Sequence, residues 1–113
     1  MKMKLILPIL ALTLASPAFA ADNAAVVANY GKHCASCHGK DGKGLTTMGK
    51  KVGCKDYTDA KVVAEIKDDE AFKMVKEGLK DKAGKELMKP FGGKLSDDEI
   101  KALVTYMKAF AKK

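Results

Sequence analysis

Cys34 and Cys37 bracket two small residues, and His38 follows directly behind them. Positions three apart on a helix share a face, so the two thiols project together while the imidazole turns inward beside them. Two thiols and an imidazole so arranged suit the attachment of one haem. The thiols reach its two vinyl groups, and His38 reaches the iron. Two other chemistries use a Cys-x-x-Cys pair. A thioredoxin-type disulfide sits in a βαβ context, and no strand alternation surrounds this pair. A zinc site built from Cys34, Cys37 and His33 or His38 would need Cys54 as a further ligand, and Cys54 lies at no usual ligand spacing.

The compartment is set by the start of the chain. Lys2 and Lys4 precede an apolar run from Leu5 to Ala15, and Ala18-Phe19-Ala20 has the small-x-small form of a cleavage site. Residues 1–20 are therefore expected to be a cleaved secretory signal peptide, with a single domain over 21–113 and a periplasmic product. The apolar run is too short to cross a hydrocarbon core, which needs about 20 residues in a helix, so no transmembrane anchor is expected. Removing twenty of the 113 residues leaves 93, enough for one small domain that buries a modest share of its surface. A two-domain enzyme is excluded by length. Every one of the 21 positive charges is lysine, two of them in the leader, and the remaining 19 face 14 acids. An exported chain without arginine or a recognition motif is not expected to bind nucleic acid.

Periodicity predicts an all-α domain. Val26, Val27 and Tyr30 suggest a first helix reaching Cys34 or beyond. Five glycines from Gly39 to Gly53 predict an irregular segment over 40–57. Thr58 and Asp59 can cap a short helix carrying Val62, Val63 and Ile66, and Asp68 one carrying Phe72, Val75 and Leu79. Ser96 and Glu99 match a capping box ahead of Ile100, Leu103, Val104, Met107 and Phe110, and lysines close that helix.

The chain resembles a small bacterial class I cytochrome c. The residues that carry the resemblance are Gly31, the run from Cys34 to Gly44, the segment from Met88 to Leu95, and Ser96 to Phe110 with Tyr106. It implies helices wrapped around one covalently attached haem c, with Cys34 and Cys37 as its thioether residues and His38 as proximal iron ligand. It also implies a late methionine ligand and a C-terminal helix crossing the first, with Gly31 against the face of Tyr106 to permit close approach. Two positions depart from the family. Lys89 stands between Met88 and Pro90, and no proline follows the haem motif to hold the His38 Nδ1–H through its carbonyl, so a carbonyl within 39–53 is expected to take that part.

The second axial position has several candidates. His33 adjoins Cys34 and cannot fold over to the far face of the ring. Met107 lies on the apolar stripe of the last helix and Met74 beside Phe72 and Val75, where each reads as packing. Met48 sits in the glycine segment, ten residues past His38. Met88 lies in an interhelical segment followed by Pro90 and Phe91, fifty residues past His38, and the resemblance points to it as the distal ligand.

A closed His38 and Met88 pair predicts a soluble mono-haem electron carrier rather than an enzyme, with iron cycling between Fe(II) and Fe(III). The alternative from another class is an open-site haem protein that binds a small gas or peroxide. The expected apolar shell is Val27, Tyr30, Leu79, Leu87, Phe91, Leu95, Leu103 and Met107. Lys40, Lys43, Lys50, Lys51, Lys85, Lys89 and Lys94 fall in the segments expected near the haem, where they would steer the carrier to acidic patches on redox partner proteins. Cys54 is the odd cysteine, to be read as a small buried residue, a free thiol, or the link of a disulfide dimer of an otherwise monomeric protein.

Overall fold

The computed structural model describes residues 24–112. The signal peptide expected over residues 1–20 lies outside them. The described chain forms α1 (Ala24–His33), α2 (Ala35–His38), α3 (Thr47–Val52), α4 (Ala60–Glu65), α5 (Asp68–Glu77), β1 (Leu79–Lys80), β2 (Glu86–Met88) and α6 (Asp97–Lys108), and closes on a 3-10 turn over Ala109–Lys112. The class is all-α, as the periodicity predicts, with one minimal antiparallel sheet.

α6 is the axis of the molecule. Its Ser96 hydroxyl accepts from the Glu99 amide and the Glu99 carboxylate accepts from the Ser96 amide, so the capping box read from sequence is formed. Ile100, Leu103, Val104 and Met107 are buried on one stripe, and α6 packs against α1 on one side and α5 on the other. Val26 and Tyr30, four apart and therefore on one face, are α1's contribution. Val27, expected in the apolar shell, is 45 % exposed because it points about a quarter turn away from that face.

The crossing of α1 and α6 differs from expectation. A Cβ added to Gly31 would meet nothing within 4 Å, so Gly31 is not the point of close approach. Tyr30 is. Its ring lies 5.0 Å from that of Tyr106 and 5.4 Å from that of Phe110, a tilted aromatic cluster that fills the crossing with side chains rather than with backbone.

Three local expectations also change. The 40–57 segment contains α3, capped by the Thr46 hydroxyl, which accepts from the Gly49 amide, and ended by Gly53 at φ +76°. Here Gly49 serves packing: a Cβ there would run into the carbonyl oxygens of Cys37 and Gly44. The helix of Phe72 and Val75 begins at Asp68, with Lys67 in the N-cap position and no side-chain cap hydrogen bond, and it stops at Glu77, so Leu79 belongs to β1. Met88 is the last residue of β2, paired with Leu79, rather than part of an open loop.

Candidate functional site

The hydrogen-bond ladder of α1 runs on through Cys34, whose amide donates to the Tyr30 carbonyl, and His38 and Gly39 continue it by donating to Cys34 and Ala35. The Cys34-to-His38 segment is thus one short helix fixed at both ends. The Tyr30 hydroxyl donates to the Gly39 carbonyl at 2.5 Å, the Thr46 hydroxyl donates to the Cys37 carbonyl at 2.8 Å, and the Gly44 amide donates to the His38 carbonyl at 2.8 Å. Orphan carbonyls at a helix end are satisfied in this way by the glycine segment that follows.

All three cysteines, His33, His38 and Met88 line one cavity of about 620 Å³. That volume lies in the range of cofactor-sized sites. Ile66, Ala71, Leu79, Leu87 and Phe91 give it an apolar wall, and Met48, Met74, Val52 and Tyr57 complete it. Leu79 is 40 % exposed because it faces this space. Met107 is buried in the core and does not line the large cavity, consistent with a packing role. Met74, expected to pack, instead lines the cavity and is 37 % exposed.

Burial sets the protonation of the site. The His38 imidazole is pushed below its ordinary range, so it is neutral at pH 7 and able to donate a nitrogen lone pair. The Cys34 thiol is pushed up to about 11 by burial and by the neighbouring Cys37. Burial likewise raises Cys54, with Cys37 adding to it, and raises Tyr57. All three cysteines are free. Among the described residues no three His, Cys, Asp or Glu side chains converge on a metal-ion site, so the zinc arrangement of Cys34, Cys37, a histidine and Cys54 is not assembled.

One expectation fails here. The His38 Nδ1 is buried without a hydrogen-bond partner, and no carbonyl of the 39–53 segment reaches it. Those carbonyls are spent elsewhere: Gly39 on Tyr30, Gly42 on the Tyr57 amide, Gly49 on the Cys54 amide. The ring packs instead against Tyr57, with centroids 5.7 Å apart and the two planes at 86°. Sequence spacing carried no signal for Tyr57, which lies nineteen residues on from His38 in a turn.

The lysine rim is redistributed. Lys89 and Lys94 line the cavity as expected, joined by Lys32 and Lys55, whereas Lys40, Lys43, Lys50, Lys51 and Lys85 are exposed but do not line it. Lys32 is the last lysine of α1 and Lys55 follows Cys54, so both are carried there by residues that themselves wall the site.

The cavity fits a haem on its own features: a pair of thiols on one helix, a neutral imidazole beside them, a thioether on a separate segment, and an apolar wall between. Comparisons with known proteins agree. The family profile described as cytochrome c oxidase, cbb3-type, subunit III matches residues 21–107. The solved structure of the KustC0563 c-type cytochrome is similar at 34 % identity, covering 74 % of this chain and 94 % of that one with a TM-score of 0.66. A tyrosine-to-phenylalanine mutant of the same protein is similar at 33 % identity, covering 75 % and 96 %, with the same TM-score. No curated protein matches the chain.

Proposed function

This chain belongs to the cytochrome cbb3-type subunit III family of c-type cytochromes, and on that premise we propose that it is an electron carrier built on one covalently held haem c. The observation that carries the reading is that Cys34, Cys37, His38 and Met88, drawn from two segments fifty residues apart, line the same apolar cavity. Haem c, when bound, supplies an iron that exchanges one electron between Fe(II) and Fe(III). Cys34 and Cys37 hold it by thioethers. Its iron would be held by the neutral imidazole of His38 and by the thioether of Met88, a soft sulfur that favours the reduced state.

The remaining residues serve the same end. Ile66, Leu79, Leu87 and Phe91 give the cavity an apolar wall that would keep water from the bound group and limit the rearrangement that accompanies a change of charge. Lys32, Lys55, Lys89 and Lys94 surround the opening with positive charge and draw acidic patches of redox partner proteins toward it. Export through the leader over 1–20 places attachment and exchange in the periplasm. No helix among the described residues is long and apolar enough to cross a membrane.

The test is spectroscopic. The mature protein gives a pyridine haemochrome of one haem c, and its ferric form shows the charge-transfer band of iron bound to methionine sulfur. Met88→Ala abolishes that band, whereas Met48→Ala, Met74→Ala and Met107→Ala keep it. Retention of the band in Met88→Ala overturns the ligand assignment. Ready binding of carbon monoxide by the untouched ferrous protein overturns the closed site.

A further inference from the structure

The reading of Met88 as ligand leaves open what aims it. β1 and β2 are two and three residues long, and their register shifts between Leu79 and Lys80, so the sheet alone is a weak hold. The segment after Met88 is fastened elsewhere. The Phe91 amide donates to the Val75 carbonyl and the Gly92 amide to the Lys76 carbonyl, both at 3.0 Å, using carbonyls in the last turn of α5. Between these bonds and the sheet stands Gly78, at φ +79° and ψ −178°, a region open to glycine almost alone. A Cβ on Gly78 would lie 2.7 Å from the Met88 carbonyl oxygen and 2.9 Å from the Pro90 nitrogen. The backbone of residues 88–90 therefore rests directly on the bare Cα of Gly78.

We propose that the C-terminal end of α5, with Gly78 as its contact point and the Val75 and Lys76 carbonyls as its fastenings, is the clamp that positions Met88 toward the iron. This rests on the assignment of Met88 in the preceding section. Gly78 is a positioning residue, since it acts through the backbone of Met88 and touches no cofactor. A methyl group there must push the peptide units of Met88 and Lys89 outward, because what it meets is backbone and not the flexible end of a side chain. Replacement with alanine also places a Cβ at positive φ, and that strain is separable. Gly84, in the same hairpin at φ +83°, would carry a Cβ that meets nothing within 4 Å.

The experiment compares holoproteins of Gly78→Ala and Gly84→Ala. Gly78→Ala loses the methionine-sulfur band, binds carbon monoxide in the ferrous state and has a lowered midpoint potential. Gly84→Ala keeps the band and the potential and excludes carbon monoxide. Where Gly78→Ala yields no folded holoprotein, Gly92→Ala asks the same question without positive φ, since its Cβ presses on the Lys76 carbonyl at 3.1 Å. It then weakens the band where Gly84→Ala does not. Equal behaviour of the clamp variants and Gly84→Ala overturns the proposal. A wild-type protein without the band, or a Met88→Ala variant that keeps it, overturns the ligand assignment instead, so the two failures are distinguishable.

Discussion

The Tyr30 hydroxyl donates to the Gly39 carbonyl at 2.5 Å, which ties the first helix to the residue directly behind His38. Tyr30→Phe keeps the ring contacts with Tyr106 and Phe110 but leaves the Gly39 carbonyl with the Gly42 amide, at 3.2 Å, as its remaining donor. The expected loss is about 1 kcal/mol, the net worth of one hydrogen bond, in urea unfolding of the holoprotein. Burial, with Cys34 close by, holds the Tyr30 hydroxyl neutral far above its usual range. The folded state therefore keeps a proton that the unfolded chain gives up near pH ~10, so this contribution is complete below that pH and declines as the pH climbs past it. Unfolding midpoints collected across the alkaline range should fall less steeply in Tyr30→Phe than in the parent.

Gly49→Ala brings a Cβ onto the carbonyl oxygens of Cys37 and Gly44 and close to the Thr46 hydroxyl. Backbone cannot step aside, so Thr46 is forced off Cys37 and the Cys34-to-His38 segment loses one of its fastenings. A cost of about 1–3 kcal/mol follows from the overpacking. Haem content per polypeptide should drop with it, and full incorporation at parental stability would refute this account of Gly49.

Gly31→Ala runs in the opposite direction. The position is helical and its added methyl meets open space, so the variant gains about 1 kcal/mol of helix propensity and melts at a higher temperature. A loss of stability would restore the close helix approach that the family resemblance implies for this residue.

Lys108 joins the end of α6 to the junction of α4 and α5, its Nζ donating to the Ile66 carbonyl at 2.9 Å and to Asp68 at 2.6 Å. Asp68 is mostly exposed, so its ionic share is screened and small. Lys108→Met keeps the aliphatic stem and loses the tie to Ile66, costing about 1 kcal/mol. Thermal melts at low and high salt should show nearly the same deficit.

Charge reversal at Lys55 or Lys94, beside the cavity, should slow electron exchange with an acidic partner and flatten its decline with ionic strength, measured by stopped-flow reduction. The same reversal at Lys50 or Lys51, away from the cavity, should do markedly less.

What could be read from the residues depended on how local the cause was. The α6 capping box and apolar stripe are spelled out by positions three and four apart and stand where expected; the thiol pair and its histidine are spelled out in the same way and line one cavity. Gly31 and Val27 depart from expectation because a helix face turns by about 100° per residue, and nothing in α1 alone says which face meets α6. Gly49 looked like a breaker, though its meaning comes from carbonyls of Cys37 and Gly44 that only the folded chain brings near. Tyr57 against His38, and Gly78 beneath Met88, are contacts between segments with no periodic relation, and no spacing rule announces them.

The bonds that shape the Cys34-to-His38 segment are short in sequence: Tyr30 to Gly39 and Thr46 to Cys37 each span nine residues. The Met88 segment closes separately, on the end of α5. Short loops cost little entropy to close and form early. In entropic terms each half of the site is closed by bonds drawn from its own stretch of chain.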